Sequence, residues 1–263
     1  MKFATAMTIA GSDSGGGAGI QADLKTFSAL GVFGTSAITA ITAQNTLTVT
    51  AIAAMGPSLV RAQIEAVLDD IGADAIKTGM LANSGIIDTV ATVIAERAIS
   101  TVVVDPVMVA KSGVRLLDPD AVATLRERLL PRALIVTPNL PEAEVLVGRE
   151  LPSERDVRDA ATAIVRLGAR YVVVKGGHRD GATVTDLLHD GDRFWEFTAP
   201  RITTSSTHGT GCTFAAAIAA RLALGDDVPA AVSTAKEYLH AAIAAARPIG
   251  HGHGPVHHFH RWY

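Results

Sequence analysis

The feature that most constrains this chain is an alternation. Short runs of β-branched and apolar residues, of which Val102-Val103-Val104 is the plainest, are separated repeatedly by stretches with helical periodicity. The strand-like runs fall at 6–10, 32–42, 49–55, 75–77, 101–104, 133–136 and 171–174. Helical patterns run from Ile20 to a stop at Gly31, over 57–72 and 83–97, after a cap at Asp118-Pro119, after Glu142, and over 153–167, 215–224 and 226–246. Two more β runs, 182–189 and 193–197, flank Asp190-Gly191-Asp192, a hairpin signal. Apolar strands joined by helices predict a mostly parallel sheet covered on both faces. No linker-like or low-complexity stretch interrupts the pattern, so a single domain over 1–263 is expected.

In such a sheet, ligands bind beyond the carboxyl ends of the strands. Gly11, Asp105, Asn139 and Lys175 each follow an apolar strand and mark that edge. Composition narrows the field. With 48% hydrophobic and 19% charged residues, 263 residues can bury a substantial core. A formal charge of −3 leaves no basic surplus, which speaks against nucleic acid or an anionic membrane as partner. One cysteine cannot form an internal disulfide and favours a reducing compartment. Residues 1–10 are too short for a signal-peptide core, and no apolar run reaches the roughly 18 residues needed to span a bilayer. The expected location is cytoplasmic.

The stretch Ser205-Ser206-Thr207-His208-Gly209-Thr210-Gly211-Cys212-Thr213-Phe214 opens the helix whose apolar face is Phe214, Ile218 and Leu222. The first turn of a helix has unpaired N–H groups and the positive end of the dipole, and glycines allow close approach to the backbone. Gly209 to Cys212 therefore forms an expected anion site, with phosphate as the fitting ligand. Cys212 sits in the same turn, where that field is expected to favour its thiolate. An ordinary helix start is the plainer alternative.

Other motifs admit two readings each. Gly17-x-Gly19-x-x-Ala22 fits a relaxed dinucleotide fingerprint, but no Asp or Glu lies between Leu24 and Ile64 to hold a ribose; a glycine turn between strand and helix explains it equally. Lys25-Thr26, Lys77-Thr78 and Lys111-Ser112 all lack the glycine of a phosphate loop. Asp105 and Glu142 are the metal candidates, since phosphoryl transfer needs a magnesium ion held through one or two carboxylates; turn and cap roles are the alternatives. Lys175 offers a point charge to phosphates or is a solvated strand end. Asp23, early in its helix, can meet a ligand at the sheet edge or face solvent. His251-x-His253 and His257-His258-x-His260 have spacing for a transition metal, yet no carboxylate or cysteine set accompanies them, and a structural tail is favoured.

Taken together, the segments 10–26, Gln44-Asn45-Thr46, Val104-Asp105-Pro106-Val107-Met108, Thr137-Pro138-Asn139-Leu140-Pro141-Glu142, Val174-Lys175-Gly176-Gly177-His178, His208-Gly209-Thr210-Gly211-Cys212 and Gly250-His251-Gly252-His253-Gly254-Pro255 resemble the hydroxymethylpyrimidine/phosphomethylpyrimidine kinases of thiamine biosynthesis. The collinear motifs cover nearly the whole chain. The resemblance implies a ribokinase-like three-layer α/β sandwich, usually a homodimer, that uses ATP and Mg2+ to phosphorylate a pyrimidine alcohol and then its monophosphate. It implies that Gln44 and Asp23 bind the pyrimidine, with Gly11, Met80 and Val107 nearby. Asn139-x-x-Glu142, assisted by Asp105, would serve metal and phosphate; Lys175 would touch the ATP phosphates; and Gly209, Thr210, Gly211 and Cys212 would form the catalytic anion hole.

The wider sugar-kinase superfamily has an aspartate base where this chain has Cys212. An alcohol acceptor gains from a base, whereas a phosphate acceptor is already anionic and is repelled by a fixed carboxylate; a thiol can stay neutral or ionise. Three other readings stand beside this one: a pyridoxal kinase, a pyrimidine-sensing module with a disabled site, and a nicotinamide enzyme. The set Asp105, Glu142, Lys175 and Cys212 argues against the second, and the missing ribose acid against the third.

Overall fold

The computed structural model describes residues 3–110, 113–178 and 181–263; Lys111-Ser112 and the first two residues of the leading segment lie outside the described residues. Nine strands form one sheet: β1 (Thr5–Asp13), β2 (Phe33–Gln44), β3 (Val49–Ala54), β4 (Ala75–Thr78), β5 (Val102–Val104), β6 (Ile135–Val136), β7 (Tyr171–Val174), β8 (Thr183–His189) and β9 (Phe194–Pro200). The spatial order is β3-β2-β1-β4-β5-β6-β7-β8-β9. The strands β2, β1, β4, β5, β6 and β7 run parallel, and antiparallel neighbours close the sheet at either side. The central strands are buried from end to end, as their uninterrupted apolar runs require.

Two layers of helix complete the sandwich. On one face lie α2 (Pro57–Asp70), α3 (Ser84–Glu96), the short α4 (Ala121–Thr124), α5 (Leu140–Val147) and α6 (Glu154–Val165). On the other lie α1 (Gly19–Ala29), α7 (Thr210–Ala223) and α8 (Val228–Ala244). Several boundaries were written in the sequence: Asn83, Ser153 and Asp227 each cap a helix by accepting a backbone N–H, and Asp190 Oδ1 accepts from Asp192 and Arg193 to close the predicted hairpin.

Two local expectations need correction. Asp118 does not cap a helix through its side chain; the helix starts at Ala121 and widens into a π turn at Leu125–Leu129, then tightens to a 3-10 turn at Leu130–Arg132. Pro131, lacking an N–H, cannot extend regular α-helical bonding there. The second concerns α7, which is not merely amphipathic: every residue from Thr213 to Ala220 is buried. It lies between the sheet and the helices α1 and α8, and its alanines permit that close packing on all sides.

The strand order reverses between β1 and β4, whose chains leave the sheet in opposite directions. A crevice opens there at the carboxyl edge. Gly11 to Asp13, Gln44, Gly79, Asp105, Asn139 and Lys175 all reach that edge from successive parallel strands.

Candidate active site

The glycine loop after β1 folds around an acid of its own. Asp13 is buried and accepts from the backbone N–H groups of Gly15 (2.8 Å), Gly17 (3.0 Å) and Ala18 (2.8 Å), and from His208 Nε2 (2.9 Å). Burial works to raise its pKa, but these donors outweigh it and hold the carboxyl below its ordinary range. The loop amides that a dinucleotide would need are thus already taken, which removes the nicotinamide reading on geometric grounds as well. The same fold brings the loop against the start of α7. A Cβ on Gly209, whose φ is +77°, would lie 1.8 Å from the Gly17 carbonyl oxygen, so only glycine fits.

Beyond the strand ends lies a cavity of about 490 Å³. Gly11, Gln44, Met80 and Val107 line one part of it; Asp105, Asn139, Glu142, Lys175 and the run Gly209 to Cys212 line another. Residues distant in sequence thus line one cavity, but one of the expected site residues is not among them. Asp23 does not line the cavity. It is fully buried, binds Lys77 Nζ at 2.8 and 3.0 Å, and accepts from Thr8 Oγ1 at 2.6 Å. A direct contact between Asp23 and a ligand is corrected to a supporting role: it holds Lys77, which does line the cavity floor.

Lys77, Asp13 and His208 were not singled out from sequence. For Lys77 a signal existed, because a lysine within a short run between other apolar strands cannot be solvated and must find a counter-charge. Burial opposes its charge, but the Asp23 carboxylate keeps the ammonium above its usual range.

On the other side of the cavity, Lys175 Nζ lies 2.9 Å from Asp105 Oδ1 and 3.9 Å from Glu142 Oε2. Asp105 also accepts from Thr137 Oγ1. Asn139 and Glu142 form a reciprocal capping box at the start of α5, each side chain accepting the other's backbone N–H. The capping role and an active role for Glu142 are thus compatible. Burial, reinforced by Asp105, pushes the Glu142 carboxyl up to about 7, against the pull of Lys175.

Cys212 requires the second correction. The helix start does not make it a thiolate: burial pushes the thiol up to about 11, with Asp23 and Asp105 adding to the rise against Lys77 and a Gly19 N–H. At neutral pH it is a neutral thiol. The first-turn N–H groups beside it still face the cavity edge.

A second cavity of about 270 Å³ adjoins the first and shares Asn139, Lys175, His178, Thr207, Thr210 and Gly211 with it. Its far wall is apolar, with Val184, Ala199, Ile202, Leu239 and Ile243, and it ends near Lys236, which is paired with Asp186 at 2.8 Å. The start of α7, at Thr210 and Gly211, lines both cavities.

The C-terminal histidines do not gather as metal ligands; among the described residues no group of three or more His, Cys, Asp or Glu could hold a metal ion. His258 is buried, with its Nε2 3.1 Å from Thr213 Oγ1, and burial pushes its pKa down to about 3.

Comparison with known proteins follows this geometry. The family model for phosphomethylpyrimidine kinase matches residues 13–257. The chain belongs to this family. A hydroxymethylpyrimidine/phosphomethylpyrimidine kinase of Rhizobium meliloti is 57% identical over 99% of this chain and 98% of its own length. Among solved structures, a phosphomethylpyrimidine kinase from Clostridium difficile aligns with a TM-score of 0.81 at 43% identity, covering 91% of this chain and 99% of that one. An ADP complex of Bacillus subtilis pyridoxal kinase aligns at 0.91, also at 43% identity, covering 97% of both. The ribokinase-like α/β fold and the kinase class are thereby shown. No helix among the described residues is long and apolar enough to cross a membrane.

The buried Lys77–Asp23 pair gives a first test. Lys77→Met strands a carboxylate in the core, and unfolding in denaturant should show a loss of about 3–5 kcal/mol. The double variant Lys77→Met/Asp23→Leu should recover much of it, because the uncompensated charge is gone. A single variant as stable as the parent would mean the pair is not closed to water.

Proposed function

We propose that this chain transfers the terminal phosphoryl group of ATP to the alcohol of 4-amino-5-hydroxymethyl-2-methylpyrimidine, and then to the resulting monophosphate, in thiamine biosynthesis. The observation that carries the reading is the pair of cavities meeting at Asn139, Lys175, Thr210 and Gly211. The second cavity, with Val184, Ile202, Leu239 and Ile243 among its lining, suits a nucleotide, the first an aromatic acceptor, and the shared residues Thr210, Gly211 and Lys175 suit the phosphoryl group in passage.

On this reading Gln44 recognises the pyrimidine, with Gly11, Met80 and Val107 forming the walls about the ring. The backbone N–H groups from Gly209 to Cys212 stabilise charge on the transferring group, and the Lys175 ammonium adds to it. Cys212, as a neutral thiol, lines this hole without repelling an anionic acceptor. Asp105 and Glu142 suit a magnesium ion: two hard carboxylates face the cavity, and Lys175 alone offsets their charge. With so few protein ligands the ion would keep waters and phosphate oxygens, and it would supply charge neutralisation when bound.

A pyridoxal kinase is the second reading, favoured by the close structural likeness to the Bacillus subtilis pyridoxal kinase. Turnover assays with ATP and magnesium, offering the pyrimidine alcohol, its monophosphate and pyridoxal separately, decide between them. Diphosphate from the monophosphate is expected; turnover of pyridoxal without it would move the chain to vitamin salvage. In the same assay Cys212→Asp should keep the first phosphorylation and slow the second by about tenfold or more, since a carboxylate would face the incoming phosphate. Equal retention of both steps would overturn the account of the thiol.

Glu142 sets a pH dependence. A cation needs its ionised form, so below about pH 7 binding must displace a proton and weakens as pH falls. The magnesium concentration giving half-maximal rate should rise on acidification through this window, and Glu142→Gln should flatten that rise. A profile identical in both proteins would remove Glu142 from the metal site.

The homodimer implied by the family fits the exposed apolar residues Ile41 and Ile52 on the outer hairpin formed by β2 and β3. Sedimentation at the mass of one chain at working concentration would exclude it.

A further inference from the structure

The Gln44 side-chain amide lies 3.1 Å from Thr42 Oγ1 and 3.4 Å from His208 Nε2. An amide can sit in either of two orientations that exchange its donor and acceptor, and its neighbours decide which. The Asp13 carboxylate, 2.9 Å from His208 Nε2, is kept ionised by its N–H donors and accepts only, so that nitrogen carries the proton and has no lone pair for Gln44. Thr42 has a single hydroxyl proton, and the Ser12 carbonyl at 2.9 Å takes it. With Oε1 toward Thr42 and Nε2 toward His208, as the atoms are placed, neither end of the amide meets its complement. Turned over, its nitrogen donates to Thr42 Oγ1 and its oxygen lies beside the Nε2–H that Asp13 holds, so the turned orientation is favoured.

His208 is itself immobile. Its backbone N–H donates to the Gly254 carbonyl, and it pairs with Pro255 in a short parallel bridge. A Cβ on Gly17 would come within 2.4 Å of its ring and 3.1 Å of Pro255. The same C-terminal segment grips the strand end that carries Gln44: the N–H of His253 donates to Thr46 O at 2.9 Å, and that of Gly252 to Thr46 Oγ1 at 3.2 Å. A Cβ on Gly252 would lie 2.1 Å from Thr46 O, and one on Gly250 would lie 2.4 Å from Thr46 Oγ1. The glycine-histidine motif is thus a strap that ties Thr46, just beyond Gln44, to His208 through its backbone.

We propose that His208, locked by Asp13 and by the strap at residues 250–256, is a positioning residue that sets the donor–acceptor order of the Gln44 amide and hence the specificity of the acceptor site. With one proton donated to Thr42 and the oxygen kept on the His208 side, the amide offers its oxygen and its other proton in fixed order. An aminopyrimidine presents a ring nitrogen and an exocyclic amine, an acceptor beside a donor, that match this order. A ring without that pair gains nothing from it. The inference rests on the assignment of Gln44 to the acceptor ring.

Calorimetric titration tests it, with the pyrimidine alcohol, pyridoxal and ATP as separate ligands. His208→Leu should weaken pyrimidine binding about tenfold, the worth of one hydrogen bond, while ATP binding stays within about twofold. The preference for pyrimidine over pyridoxal should narrow. His208→Gln, whose side-chain amide N–H can reach the position of the imidazole Nε2–H, should recover most of the loss. Thr42→Val probes the lock from its other side without touching the strap, and should also weaken the pyrimidine. The deciding measurement is a double-mutant cycle: in a Gln44→Ala background, His208→Leu should cost less than about twofold more. The same loss in both backgrounds overturns the proposal, since His208 would then act on the ligand directly. Parallel loss of ATP and pyrimidine affinity overturns it too, marking a general structural role. If the wild-type protein binds no pyrimidine, the assignment of the acceptor fails first.

Discussion

The site depends first on one buried carboxylate. Asp13 draws three backbone N–H groups and an imidazole onto itself, and in doing so folds a run of glycines into a compact turn. A buried carboxylate without such donors would cost several kcal/mol, so the turn is strongly specified. Because the loop is closed on Asp13, it cannot cradle a phosphate. Because it is compact, Gly209 can press against the Gly17 carbonyl and bring the start of α7 over the strand ends. The start of α7 is therefore seated over the strand ends by a loop from the other end of the chain.

Electrostatics beneath the cavity follow a common plan with different openness. Lys77–Asp23 is sealed, with no exposure on either side chain, whereas Lys175 retains 14% and bridges two carboxylates at the junction of the cavities. In a low-dielectric interior a sealed pair contributes a fixed field and rigidity. The open cluster is different in kind: burial, with Asp105 beside it, pushes the Glu142 carboxyl up to about 7 against the pull of Lys175. One pair supports the site and the other can respond to what binds there.

The fold was legible because the dominant signals are local and redundant. Strand runs such as 101–104, caps such as Ser153 and Asp227, and the Asp190-Gly191-Asp192 turn all act over a few residues, and each agrees with its neighbours. The motifs around Gly11, Asp105, Asn139, Lys175 and Gly209 were legible for a second reason: each follows a strand end or opens a helix, and the topology brings such points to one edge. Asp23 and Cys212 show where this breaks down. Position near a helix start could not say that Asp23 turns inward to Lys77, 54 residues away, nor that burial, with Asp23 and Asp105 adding to it, raises the Cys212 thiol.

The sequence by itself determined the alternating α/β architecture, the edge on which chemistry-bearing residues collect, and the family whose motifs it carries. Periodicity, capping and turn chemistry are short-range, and they survive in the linear text. Only the tertiary structure decided which charges face one another: Asp13 with His208 across 195 residues, Lys175 with Asp105 across 70, and Thr46 with the C-terminal glycines across 206. The first of those pairings helps hold the Asp13 carboxyl below its ordinary range. Coulomb energy and hydrogen bonding depend on distance in space, and no spacing along the chain encodes it.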